Sequence, residues 1–269
     1  MNSDDSTIPP VPAAPVPWRD LRRFTDARIA LGRTGGSLPT GAVLDFRQAH
    51  ACARDAVHTP FPAGEFALRL AALTGWETLT AASAARDRQE YLRRPDLGRT
   101  LYAASRADLL TTAAGRPPCD LLLGISDGLS AEATLRQVPP LLEALFPLLQ
   151  SAGWNIGPLV VIRGGRVALL DEIAPIFRAS ISLILLGERP GLGSADSLGA
   201  YLTFAPGPGR TDADRNCVSN IRPAGLPPDA AARKIFWLLQ TARQLQLSGV
   251  ALKDGSDTST ESLPPTAGN

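Results

Sequence analysis

Residues 117–130, PPCDLLLGISDGLS, decide how the chain folds. From Asp120 to Ile125 they form a short apolar run, closed by Pro117 and Pro118 on one side and by Ser126, Asp127 and Gly128 on the other. Such a run is too short for a stable helix and lacks polar alternation, so it suits a strand covered on both faces. Residues 159–162 (LVVI) and 181–186 (ISLILL) have the same form. Helical stretches fall between them, around 130–149 and 171–179, and a last helix over 228–245 sets Ile235, Leu238, Leu239, Ala242 and Leu245 on one face. This alternation predicts an α/β fold with a doubly wound, mainly parallel sheet. A ligand is then expected beyond the carboxyl ends of the strands.

Towards the amino terminus, a strand candidate lies at 76–80, and an arginine-rich helical stretch runs through RDRQEYLRRPDLGR to about Leu110. Earlier still, Val43, Phe46, His50, Ala53 and Val57 recur at spacings of three and four, predicting an amphipathic helix that Pro60 and Pro62 end. The expected organisation is a proline-rich tail at 1–17, a small N-terminal helical domain at 18–65, the α/β domain at 66–253, and a Ser/Thr/Gly/Pro-rich tail at 254–269.

With 269 residues, 44% of them apolar and 20% charged, the chain can build a sizeable core, and it has no apolar run long enough for a membrane span. Its net charge of +1 gives no field to draw in nucleic acid or an anionic membrane. The basic residues are arginines apart from Lys234 and Lys253, which disfavours lysine-based chemistry. Three widely spaced cysteines, without a Cys-x-x-Cys or an opening signal peptide, predict a reducing, cytoplasmic setting.

Gly124-Ile125-Ser126-Asp127-Gly128 matches the Gly-x-Ser-x-Gly of a hydrolase nucleophile elbow, between a strand and a helix. In that fold the histidine follows the serine, whereas His50 and His58 both precede it, so the turn reads better as a strand-to-helix connection with Ser130 or Asp127 capping the next helix. The two histidines do not share a helix face as zinc ligands would; His50 reads as a packing residue on the apolar stripe and His58 as a C-terminal cap. No metal site and no catalytic set emerges. The glycines of Gly187-Glu188-Arg189-Pro190-Gly191-Leu192-Gly193 permit close approach to a ligand, yet the string matches no phosphate-binding fingerprint. Glu188 and Arg189 read equally as a solvated turn with a surface ion pair. Residues 210–223, RTDADRNCVSNIRP, read as a polar loop that grips a ligand or knits to a partner subunit, with Cys217 a small buried packing residue ahead of a reactive thiol.

Taken as whole strings, these segments resemble the small subunit of ethanolamine ammonia-lyase. The resemblance is carried, in order, by residues 29–39 (IALGRTGGSLP), 49–58 (AHACARDAVH), 91–99 (YLRRPDLGR), 126–131 (SDGLSA), 187–201 (GERPGLGSADSLGAY), 214–223 (DRNCVSNIRP) and 247–253 (LSGVALK), and extends over about 18–253. It implies a Rossmann-like subunit that helps enclose adenosylcobalamin against a large catalytic barrel subunit, in a higher hetero-oligomer that converts ethanolamine to acetaldehyde and ammonia by radical chemistry. It also implies that the cofactor contacts of this chain are Val167 of Gly-Arg-Val, Glu188 of Gly-Glu-Arg-Pro-Gly and Cys217 of Asn-Cys-Val-Ser-Asn. The isolated chain is then expected to be inactive and to expose a large apolar patch. No Asp-x-His-x-x-Gly string is present, so cobalamin's own base is expected to stay on cobalt. The proline-rich tail departs from an amphipathic shell-targeting helix, which puts in doubt a place inside a bacterial microcompartment. A stand-alone serine hydrolase using the 124–128 turn and a non-catalytic ligand-binding module remain the alternatives.

Overall fold

The computed structural model describes residues 19–25 and 27–256, so the expected tail at 1–17 and residues 257–269 of the other tail lie outside the described residues. The three apolar runs form β2 (Leu121–Ser126), β3 (Leu159–Arg163) and β4 (Ile181–Gly187), and the first strand candidate forms β1 (Thr78–Ala82). Two strands not anticipated from apolar runs complete the sheet, β5 (Leu198–Phe204) and β6 (Arg215–Ile221). The order is β1-β3-β2-β4-β5-β6. Pairings are parallel from β1 to β4 and antiparallel at β4·β5 and β5·β6, so the α/β architecture holds with a mixed six-stranded sheet.

Residues 210–223 are therefore not one loop. After a short turn at Asp212–Asp214 they become the edge strand β6. Strand β6 buries Arg215, Val218 and Ile221 while Cys217, Ser219 and Asn220 are exposed, and an edge needs apolar residues only where it meets the core. That sparse spacing is why its sequence reads as a loop.

Alternation in the strands divides the core. Leu121, Leu123 and Ile125 of β2 and Ile181, Leu183 and Leu185 of β4 face one side with α2 (Ala63–Thr74), α5 (Ala131–Ser151) and α7 (Pro228–Leu245). Leu122, Val160, Ile162, Ile184 and Leu186 face the other with Leu109 of α4 (Ala103–Ala113), which follows the short α3 (Arg88–Arg93) in the arginine-rich stretch, and with Leu170 and Ile173 of α6 (Leu170–Ile173). Each fully buried leucine contributes roughly 1.5–3 kcal/mol. Helix α5 carries Pro139, Pro140 and Pro147 internally, at sites that would break an isolated helix, and its long buried face holds it together. Around α6, Pro175 divides the expected helix at 171–179 into short helical turns. Helix α2 runs through residue 65, where the sequence reading divides the chain, and its Phe66, Ala67 and Leu70 belong to the main core.

Helix α1 (Thr40–His58) forms as its periodicity predicts but is not covered. Only Ala56 is buried, and Leu44 and Phe46 are 57% and 45% exposed. His50 is exposed too, stacked on Phe46 with ring centroids 6.2 Å apart, which corrects its reading as a core residue. His58 does not cap the helix; Thr59 does, its backbone N–H and its hydroxyl both donating to the Asp55 carbonyl at 2.8 Å. No helix among the described residues is long and apolar enough to cross a membrane.

Candidate functional site

Where β2, β3 and β4 end, two of their loops meet backbone to backbone. The Leu129 N–H donates to the Gly187 carbonyl at 2.8 Å. A Cβ on Gly187 would lie 1.9 Å from the Ser130 carbonyl oxygen, and Gly128, at φ +52°, faces Gly187 in the same way. Only glycine fits that crossing. Ser130 caps α5 by accepting from the Ala133 N–H at 3.1 Å.

Beside this contact opens a cavity of about 460 Å³, walled by Val167 from the turn after β3, by Leu186, Glu188 and Arg189 at the end of β4, and by Tyr91, Arg166 and Tyr201. Two of the three residues implied by the family resemblance, Val167 and Glu188, thus line one space beyond the carboxyl ends of parallel strands. Cys217 is not on that wall but lies directly opposite Tyr201 in the β5·β6 register. It is exposed, which corrects its reading as a buried packing residue. Desolvation nevertheless pushes its thiol pKa up, the Glu188 charge adds to the rise, and the Tyr201 hydroxyl opposes it. Tyr201 is raised well above an ordinary phenol, chiefly by desolvation.

Glu188 does not pair with Arg189 as a surface turn would. Its Oε2 accepts from the Ser197 hydroxyl at 2.5 Å and from the Asn220 N–H at 3.2 Å, a fixation that joins β4 to the end of β6. Gly199 leaves room for it, since a Cβ there would stand 3.0 Å from Glu188 Oε1. Among the described residues nothing donates to Oε1, so a half-buried carboxylate presents one held oxygen and one open acceptor. Arg166 supplies a matching excess: its Nε is buried without a partner, while Nη2 donates to the Tyr91 carbonyl at 3.3 Å.

Tyr91 divides this cavity from a second one of about 260 Å³ that contains His58, Arg88 and Asp127. Two guanidinium groups lie over its ring, with the Arg166 and Arg88 carbons 4.6 and 5.1 Å from its centre. Burial pushes the phenol up to about 12, and its hydroxyl donates to the Gly165 carbonyl at 3.3 Å. In the second cavity, burial pushes Asp127 up while Arg88, 3.0 Å away, and the Gly164 N–H, at 2.7 Å, hold its charged form.

Ser126 of the Gly-x-Ser-x-Gly string has no exposure. Its hydroxyl accepts from the Gly165 N–H at 2.9 Å and sits 3.1 Å from the Gly165 carbonyl, so it ties the β2 and β3 loops together and is sealed from any substrate. A hydrolase would have no accessible nucleophile here.

Tyr91, Arg166 and Tyr201 were not singled out by pattern reading. Two sit at the ends of conspicuous strings, Tyr91 opening YLRRPDLGR and Tyr201 closing GERPGLGSADSLGAY, while Arg166 stands outside them, next to Val167. An aromatic residue at the end of a conspicuous string marks two of them, but only the fold brings them to one cavity.

Residues 15–253 match the family model described as ethanolamine ammonia-lyase light chain (EutC). A protein of Bradyrhizobium diazoefficiens named ethanolamine ammonia-lyase small subunit is 53% identical over 247 residues, covering 91% of this chain and 94% of its own. Proteins of that name from Azotobacter vinelandii and Pseudomonas paraeruginosa are 51% and 50% identical, over 91% and 97% of this chain and 91% and 96% of theirs.

Proposed function

This chain belongs to the ethanolamine ammonia-lyase light-chain family, and from that premise we propose that it is the non-catalytic wall of a corrinoid site completed by a large barrel subunit. In the proposed complex, ethanolamine is converted to acetaldehyde and ammonia. When bound, adenosylcobalamin supplies a carbon-centred radical by homolysis of its cobalt–carbon bond.

The residues fit such a group in kind. A corrin is a broad apolar disc edged with amides, and the cavity offers an apolar side chain, Val167, beside one open carboxylate oxygen on Glu188. In this reading Val167 packs against the disc and Glu188 Oε1 accepts from an amide N–H or a ribose hydroxyl. Cys217, its thiol kept protonated by the raised pKa, lets the edge strand come close without a long side chain. A space of about 460 Å³ falls within the range of ordinary small-ligand sites and is too small to enclose a corrinoid, so the remaining walls come from the partner. The uncovered face of α1, with Leu44 and Phe46, belongs to the same reading as a surface made for burial in an assembly.

The observation that carries this reading is the convergence of Val167 and Glu188 on one cavity at the carboxyl ends of β3 and β4, with Cys217 across Tyr201. The test is co-expression with the large subunit, followed by an acetaldehyde assay with and without adenosylcobalamin. Turnover is expected only when both subunits and the cofactor are present. Ethanolamine turnover by the lone chain, or full turnover without the corrinoid, would overturn the proposal.

A further inference from the structure

Below the cavity, on the same face of the sheet, lies a buried charge cluster that no step above uses. Arg215 of β6 grips Asp171 of α6 with both ends of its fork, Nη1 to Oδ1 at 3.0 Å and Nη2 to Oδ2 at 2.5 Å, and Nη1 also donates to the Thr203 hydroxyl of β5 at 3.0 Å. The two charged side chains are only 4% and 6% exposed. Arg215 Nε has no hydrogen-bond partner, and Asp212 Oδ1 stands 3.7 Å from it.

The three members stand on three different segments, and each segment carries one residue of the site described above. Asp171 follows Val167 by four positions, Thr203 follows Tyr201 by two, and Arg215 precedes Cys217 by two. Leu169, Leu170 and Ile184 belong to the apolar core on that face of the sheet. Stability alone does not call for ions there, because a buried pair loses hydration that its attraction only about recovers, and apolar residues of similar volume would hold the layers as well. What a bidentate guanidinium–carboxylate pair adds is direction: its two parallel bonds fix distance and angle together.

We propose that Asp171, Thr203 and Arg215 form a positioning clamp that sets the spacing of Val167, Tyr201 and Cys217, and through them the affinity of the site for its corrinoid. This rests on the function proposed above. The clamp touches neither substrate nor cofactor; it holds the walls that do.

Two readouts separate the clamp from a general support of the fold. The first needs no cofactor: alkylation of Cys217 in the full chain carrying Cys52→Ser, with buried Cys119 as the internal reporter of unfolding. Arg215→Lys keeps the charge and loses the fork, and it should speed Cys217 alkylation severalfold by loosening β6 beside Tyr201 while Cys119 stays protected. Asp171→Asn should act in the same direction. The second readout is cyanocobalamin affinity of the two-subunit complex by equilibrium dialysis, expected to fall about tenfold in Arg215→Lys. Should that variant not fold, Thr203→Val removes a single hydrogen bond and should give a smaller change of the same sign in both readouts.

Unchanged Cys217 alkylation together with unchanged corrinoid affinity would overturn the clamp. So would exposure of Cys119 in step with Cys217, because the pair would then merely support the fold. If the unaltered complex holds no cyanocobalamin, the proposed function fails and the clamp's effect on affinity fails with it. An unaltered complex that binds normally beside variants that also bind normally removes the clamp alone.

Discussion

Strand β4, ISLILLG, buries all seven of its residues, whereas β6, RNCVSNI, two places away in the same sheet, buries only Arg215, Val218 and Ile221. One strand is held by helices on both faces. The other is an edge that contacts the core at every third residue, ties Asn216 to the backbone of Gly249 and Leu252, and leaves Cys217, Ser219 and Asn220 to solvent or a partner. Chemistry gathers where the two regimes meet, because Glu188 directly follows β4 and its carboxylate accepts from the Asn220 N–H near the end of β6. The buried strand gives the site a fixed base and the edge gives it polar side chains that are not already spent on packing.

Substitutions in the two strands should differ in their cost. The largest effect is expected in β4: Leu185→Ala, at a fully buried position, should cost about 3 kcal/mol in urea unfolding. A loss below about 1 kcal/mol would mean that the apolar strand does not carry the fold as described. An intermediate effect is expected at Cys217. With its pKa raised above the ordinary 9.0 by desolvation, less of it is thiolate at pH 8 than of a free thiol, so alkylation should be slow there and keep climbing past pH 9. A rate already level at pH 8 would contradict the dehydrated setting beside Tyr201. The smallest effect is expected from Ser219→Ala on the exposed side of β6, within about 0.5 kcal/mol of the unaltered chain.

The same contrast explains what was legible in the amino-acid sequence. Strands β2, β3 and β4 and helix α7 were readable because full burial demands uninterrupted or evenly spaced apolar residues, and α7 spans the expected 228–245. Strands β5 and β6 were not: one carries Gly199 and Tyr201 in place of an apolar run, and the other is polar at most positions. Periodicity identified α1 and its apolar face but was silent on what covers that face, so His50 was misplaced in a core that the chain does not form around it. At the site, pattern reading reached the ligand-friendly loop at 187–193 and the polar stretch at 210–223, and it left open whether the second meets a ligand or a partner. Val167 and Cys217 have ordinary side chains in ordinary contexts, and only the family resemblance points to them. Tyr91, Arg166 and Tyr201 required the fold, because residues far apart in the chain meet only after three strands and an edge have been paired.

The claim that the cavity at the ends of β3 and β4 is a corrinoid wall is tested most directly by equilibrium dialysis of cyanocobalamin against the two-subunit complex carrying Glu188→Ala. With assembly intact, affinity should fall about tenfold, the scale of losing a hydrogen bond to a charged group. Affinity equal to that of the unaltered complex would contradict it.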